Sequence, residues 1–270
     1  MAYRKRHIKK KIHSIRPRKN ILTRLIFWIV ILVLIITSAA VYLVLFFSKI
    51  QVDRILISGN QKVSAVLVES IIKNYAEKKF GFGIGSKSIF LADTGEMYKR
   101  IMAEFPAIKT ASVSKNFPDL ISVKIEERKP AAVFCTADAK CLDIDEAGVI
   151  FEEAQMVGQN NLIVRQNSEP GSIQLGKSIV EPGKMSAILK IQKDLKDNFQ
   201  IDAREAVVFD SGRLDLATGE GWKIYFDLSN LNVDMQITKM NLLLNGEIAE
   251  AARKNLHYID LRFKDRAYYK

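Results

Sequence analysis

The strongest constraint on this chain is a run of 23 residues, Leu25 to Phe47, without one charged side chain. As a helix rising about 1.5 Å per residue it is about 35 Å long, enough to cross a hydrocarbon core of about 30 Å with some tilt. Thr37 and Ser38 can return their hydroxyls to the helix's own carbonyls. Before this run, residues 1–24 carry ten Lys or Arg (Arg4, Lys5, Arg6, Lys9, Lys10, Lys11, Arg16, Arg18, Lys19, Arg24) and no acid; close behind it only Lys49 follows. The positive-inside rule therefore predicts a cytoplasmic tail at 1–24, one membrane helix at 25–47, and an extracytoplasmic body from residue 50 to 270. A cleaved signal peptide is the rival reading. Its apolar region is shorter, about 7–15 residues, and ends at small residues. Ser38-Ala39-Ala40 is small, but Val41 to Phe47 continues the apolar run, which favours an uncleaved anchor.

The net charge of +11 suggests a nucleic-acid binder until it is located. Residues 25–270 hold 31 basic and 30 acidic side chains, so the excess belongs to the tail. Only Tyr3 supplies an aromatic ring there, which leaves nucleic-acid binding without support. The tail reads as a topology signal and as a contact for anionic lipid. Over the whole chain, 48% apolar residues permit a core and exclude wholesale disorder. Two cysteines exclude a disulfide-rich scaffold and a four-cysteine metal site.

Residues 50–128 read as β-α-α-β-β. Val52, Ile55 and Ile57 form a strand that ends at Gly59-Asn60. Ser64 reads as a helix N-cap, with Val63 and Val68 as a hydrophobic staple, and Leu67, Ile71, Ile72 and Tyr75 recur at helical spacing. A loop spans about Lys78 to Phe90. Asp93 with Glu96 resembles a capping box opening a second helix through Met97, Ile101 and Phe105, which Pro106 stops. A hairpin follows, with Ala111 and Val113 on one arm, Phe117-Pro118-Asp119 as the turn, and Ile121, Val123 and Ile125 on the other. Two helices on one face of a three-stranded sheet would bury both apolar stripes.

Residues 129–270 read as a β-rich domain with two helices. Short strands are expected at Ala131–Cys135, Lys140–Ile144 and Val149–Phe151, then a helix opening near Pro182 with Ile188, Ile191 and Leu195 on one face. Strands follow at Ala206–Phe209, Arg213–Ala217 and Trp222–Phe226, then a long helix from about Val233 to Arg253. The last strand, Leu256–Phe263, alternates Ile259, Leu261 and Phe263 with Tyr258, Asp260 and Arg262, placing Asp260 and Arg262 within reach of each other. Arg266 to Lys270 forms a terminal edge, read either as a protective strand blunted by its cations or as one that accepts a partner's strand. Cys135 and Cys141 fall on opposite arms of a hairpin. In an oxidising compartment they form a disulfide; otherwise they are two free or semi-buried thiols.

The order and spacing of "VDRILISGNQKVS", "FPAIKTASVSKNFPDLISVKIEERKPAAVF", "DEAGVIF" and "YIDLRF" after a single-pass anchor resemble the FtsQ/DivIB family of bacterial cell-division proteins. The resemblance covers nearly the whole chain. It implies an α+β body comprising a POTRA (polypeptide-transport-associated) domain at 50–128 and a β domain at 129–270. It also implies a non-enzymatic role at the division septum, in the plasma (inner) membrane, linking early and late division proteins. The implied partners are small single-pass proteins of the FtsB/DivIC and FtsL types. Carried over by position, the partner-binding residues are Arg262, Phe263, Ala267, Tyr268 and Tyr269; after Phe263 the sequence departs from the family pattern. The Gly81-Phe82-Gly83-Ile84-Gly85 run is richer in glycine than the family and fits a mobile loop. A POTRA-bearing component of a secretion or translocation system is the alternative, but 129–270 is too short for the barrel that accompanies such arms.

No catalytic, cofactor or metal site is expected. His7 and His13 lie in the tail and His257 in a strand, so no two share ligand spacing on a helix. No Gly-x-Ser-x-Gly elbow occurs. Glycines 81, 83 and 85 lack the buried strand and Lys of a phosphate cradle. Asp143 to Ala154 imitates a calcium loop, but Ala147 and Ala154 occupy ligand positions. Glu126-Glu127 and Glu152-Glu153 are adjacent along the chain, not facing, as acid–base catalysis needs.

Overall fold

The structure, a computed structural model, describes residues 21–80, 85–136, 140–155, 161–167, 173–229 and 232–270. The expectations for the basic tail up to residue 20 and for the glycine run at 81–84 lie outside the described residues. Helix α1 (Ile21–Phe46) carries one charge, Arg24, in its first turn and none after it, and its stretch Leu22–Phe46 is long and apolar enough to cross a membrane. Thr37 Oγ1 donates to the Val33 and Leu34 carbonyls and Ser38 Oγ to that of Ile35, so neither hydroxyl is left bare.

After a short 3-10 turn at Ser48–Ile50 come β1 (Arg54–Ser58), α2 (Ala65–Ala76), β2 (Lys78–Lys79), β3 (Gly85–Ser86), α3 (Thr94–Glu104), β4 (Ile108–Asn116) and β5 (Leu120–Glu127). The sheet order is β1-β5-β4, with β1 parallel to β5 and β4 antiparallel to it. Val68 and Ile72 of α2 and Met97 and Ile101 of α3 are buried with Ile121, Val123 and Ile125 of β5. Each such side chain contributes about 1.5–3 kcal/mol relative to exposure. Gly59, at φ +84°, turns the chain out of β1 where a Cβ would meet the Ile125 carbonyl oxygen at 2.1 Å, so only glycine fits. Asp93 caps α3 by accepting from the Gly95 and Glu96 amides, whereas the Ser64 hydroxyl makes no such bond at the start of α2. The segment expected as one loop contains the two-residue pairing of β2 with β3.

The second region comprises β6 (Ala132–Cys135), β7 (Cys141–Ile144), β8 (Ile150–Glu153), β9 (Ile163–Gln166), α4 (Pro182–Phe199), β10 (Ala203–Val208), β11 (Arg213–Thr218), β12 (Lys223–Asp227), α5 (Val233–Leu242), β13 (Tyr258–Asp260) and β14 (Tyr268–Tyr269). The nine strands β6 to β14 form one sheet in the order β14-β13-β12-β11-β10-β9-β6-β7-β8. Strand β9 pairs in parallel with both β6 and β10 and joins the two halves. Helices α4 and α5 cover one face, where Ile188, Ile191, Leu195 and Met240 pack with Leu214, Leu216, Ile224 and Phe226. Cys135 and Cys141 face each other across β6–β7 and are disulfide-bonded, with Cα atoms 4.2 Å apart.

Two expectations need correction. The helix expected to run from Val233 to Arg253 is interrupted. After Leu242 it widens into a π turn through Leu243–Glu247, straightens at Ile248 and Ala249, and resumes as a 3-10 helix at Glu250–Asn255. Gly246 weakens the helix there, and the break lets both Leu244 and Ile248 reach the core. The last strand is shorter than expected. Ile259 and Leu261 remain buried, but Phe263 turns outward instead of sharing their face.

The two regions meet at the end of β5 and the β7–β8 hairpin. Arg128 pairs with the buried Asp145, Lys62 with Glu152, and Lys109 with Glu146 at 2.8 Å.

Candidate functional site

The open edge of the nine-stranded sheet is β14, which pairs with β13 and has no strand beyond it among the described residues. Tyr258 and Lys270 exchange both backbone bonds, with Lys270 N donating to Tyr258 O at 3.1 Å and Tyr258 N to Lys270 O at 3.3 Å. Antiparallel pairing alternates bonded and non-bonded pairs. With Ile259 opposite Tyr269, the N–H and C=O of Tyr269 therefore point away from β13, toward the free edge. An extended segment laid along this edge would find those groups unsatisfied by the protein.

Side chains give this edge its chemistry. The register places Asp215, Tyr225, Asp260 and Tyr268 in one row across β11, β12, β13 and β14. Arg262 grips Asp260 with two parallel bonds of 2.8 and 2.6 Å, and Arg213 grips Asp215 at 2.5 and 2.7 Å. Both guanidinium groups lie over the Tyr225 ring, at 5.6 and 4.9 Å from its centroid. Burial pushes the Asp260 carboxyl up, but the side-chain and backbone bonds from Arg262 outweigh it and hold the group below the usual carboxylate range. The same bond to Asp260 raises the Arg262 guanidinium further. The strand end therefore stays charged and rigid at neutral pH.

Beyond the arginine, Phe263 and Tyr268 are each 46% exposed and meet edge to face at 5.1 Å. Tyr269 is exposed as well, whereas Ala267 is half-buried and packs against the core beneath β14. A groove of about 300 Å³ runs beside this pair, lined among others by Met235, Gln236, Lys239, Leu261 and Phe263. The Lys239 ammonium donates to the carbonyls of Leu261, at 2.8 Å, and Phe263. Burial lowers its pKa, with Asp265 and Asp260 acting in the opposite sense. By holding those two carbonyls, Lys239 ends β13 and turns Phe263 toward solvent.

The structure thus brings Arg262, Phe263, Tyr268 and Tyr269 to one exposed rim and turns Ala267 inward. Cys135 and Cys141 lie in the β6–β7 hairpin, six strands away from β14 in the sheet order at the nearest. The sequence reading missed Lys239, Tyr225 and Arg213. Lys239 lies within the expected long helix, where nothing local marks it, and the other two join the site through pairing between distant strands. Among the described residues no group of three or more His, Cys, Asp or Glu side chains is placed to hold a metal ion.

Residues 50–128 match the family model for the POTRA domain, FtsQ-type. Two relatives carry the name "Cell division protein FtsQ". The one from Streptomyces bingchenggensis (strain BCW-1) is 25% identical over 175 residues, covering 64% of this chain and 61% of the relative. The one from Streptomyces griseus is 26% identical over 112 residues, covering 42% of this chain and 53% of the relative. These findings support the FtsQ/DivIB family. The matched part spans about three fifths and about half the length of these relatives. An FtsQ-type POTRA domain and FtsQ-named relatives, on a chain with one helix apolar enough to span a membrane, support a membrane-anchored protein of cell division.

Proposed function

We propose that this chain is a non-enzymatic scaffold of the division machinery that docks small single-pass proteins of the FtsB/DivIC and FtsL types. Its N-terminus lies in the cytoplasm and its bulk outside, at the septum, where it links early and late division proteins. The partner adds a strand to β14, and its apolar side chains settle on Phe263 and Tyr268 beside the groove. The observation that carries the reading is the open rim of the sheet, where the Tyr269 backbone points outward next to an exposed aromatic pair. Main-chain bonds give affinity in this mode, and side-chain pockets give choice. The skew of charge about α1, ten cations before it and Lys49 closely after, supports the orientation.

Replacing Tyr269 by Pro tests this directly. Proline deletes the outward N–H while leaving the bonds of Tyr258 and Lys270 in place. Co-purification of the full-length chain from cells should lose the small single-pass partners with Tyr269→Pro and with Tyr268→Ala/Tyr269→Ala. Undiminished recovery of both partner types with the proline variant would defeat the docking reading.

A further inference from the structure

The end of the POTRA domain nearest α1 is not a free surface. The last turn of a helix leaves carbonyls without intrahelical donors. Here Ser88 Oγ donates to Val44 O at 2.7 Å, and Ser86 Oγ and Gln51 Nε2 donate to Leu45 O at 2.5 and 2.9 Å. Both serines are buried, at 0% and 3% exposure. Backbone bonds from Val52 N to Lys87 O and from Ile89 N to Ile50 O close the joint. The four residues Ser86 to Ile89 are therefore locked to the point where the chain leaves the apolar helix.

The topology delivers other residues to the same end. Because β5 runs parallel to β1, the turn at 117–119 returns beside the start of β1, where Arg54 pairs with Asp119 at 2.5 Å. Helix α2 ends there, leading into β2, and α3 begins there. Three phenylalanines stand at this end with their rings outward: Phe80 at 41%, Phe90 at 52% and Phe117 at 61% exposure. Phe90 and Phe117 touch, with ring centroids 5.1 Å apart. Between and beside them are Lys49, Lys78, Lys79 and Lys87, all exposed and none in a salt bridge among the described residues. Exposed phenylalanines ringed by unpaired ammonium groups, held at the mouth of a membrane-crossing helix, have one occupant within reach without any recruitment.

We propose that this end of the POTRA domain rests on the bilayer its own helix crosses. Phe80, Phe90 and Phe117 enter the headgroup–acyl boundary, and Lys49, Lys78, Lys79 and Lys87 meet lipid phosphates. The serine joint sets the depth. The domain is seated on the membrane rather than swinging above it, and its far end, with Val66 and Leu67, faces away. This inference is independent of the docking edge and holds for either orientation of the anchor.

The test uses the full-length chain in vesicles of phosphatidylcholine and phosphatidylglycerol at about three to one. Single cysteines at Phe90→Cys, Phe117→Cys, Lys87→Cys and Leu67→Cys carry a nitroxide, the native cysteines being bridged to each other. Collision rates with oxygen and with a water-soluble nickel chelate report depth. At 90 and 117 the oxygen-to-nickel ratio should exceed that at 67 severalfold. The label at 87 should read as headgroup-level in the parent chain and as aqueous when Phe80, Phe90 and Phe117 are all changed to Ser. Readings at 90 and 117 equal to that at 67 would overturn the proposal and leave the aromatic end to a protein partner. An unchanged reading at 87 after the triple change would overturn it as well, because insertion would not depend on the phenylalanines. All variants remove exposed groups, and the fold is checked by the far-ultraviolet spectrum.

Discussion

Glu127 fastens the loop before α2 from 65 residues away. Its carboxylate accepts the backbone N–H groups of Gln61, Lys62 and Val63 at 2.7, 3.0 and 2.9 Å. Burial pushes this carboxyl up, but the three amide bonds outweigh it, and the folded pKa lies below the ordinary value of 4.5. A depressed folded pKa means that the unfolded chain binds the proton first as pH falls. The carboxylate's contribution is complete above about pH 5 and is lost as pH drops through 4.5 toward the folded value. Glu127→Ala should cost about 1–2 kcal/mol at pH 7, at the low end for bonds to a charged group because the site is half-buried. It should also flatten part of the acid limb of stability, measured by urea unfolding between pH 7 and 3. Equal losses at both pH values would contradict this. At this scale the sequence was readable where partners are neighbours in the chain. Asp260 and Arg262, two apart on a strand, were expected to meet and do. Glu127 looked like half of an acidic pair, since its donors are brought to it only by the parallel alignment of β1 with β5. Lys239 was hidden for the same reason: its acceptors, Leu261 and Phe263, lie more than twenty residues downstream.

Among the elements, those with a strong period were legible and those defined by company were not. The hairpin β4–β5 was legible from its alternation on both arms, and the apolar stripes of α3 and α4 fixed their buried faces, whereas on α2 Ile72 is buried but Leu67, expected on the same stripe, is exposed and Val68 takes the core position. Strand β9 was missed. Four residues between two parallel neighbours are buried by tertiary pairing, not by any alternation of their own. The break after α5 was missed because Leu244 and Ile248 keep helical spacing while the backbone leaves the helix between them. The β6–β7 hairpin carries the element-level prediction. A bridge across a loop this short removes about 2 kcal/mol of unfolded-state entropy. Changing Cys135 and Cys141 to Ser together should lower the unfolding free energy by that amount in urea titrations, with no change in partner recovery. Loss of the partners would show that the hairpin does more than hold the sheet.

For the molecule as a whole, charge and hydropathy led to the expected division into tail, anchor and body, whereas the junction inside the body is made by residues distant in the chain. Arg128 is 14% exposed and its partner Asp145 is 3% exposed, while Asp145 also accepts the Ala147 and Val149 amides. Arg128→Ala leaves that carboxylate buried without its cation, which costs about 3 kcal/mol. The outer pairs, Lys62 with Glu152 and Lys109 with Glu146, are exposed and contribute under about 1 kcal/mol each. Calorimetry of Arg128→Ala should therefore split one thermal transition into two, whereas Lys109→Ala should leave it single. A single, merely shifted transition for Arg128→Ala would mean the regions are coupled elsewhere. The continuous sheet gives this junction a mechanical meaning. Strand β8 and the turn before it, which hold Glu152 and Asp145, form one rim, and β14 forms the other. A tug on β14 is carried sideways through eight strand pairings before it reaches Arg128 and Lys62. The two residues of β14 stand at the loaded end of that line and hold it by two pairings, so under tension the load peels the rim away before it strains the joint.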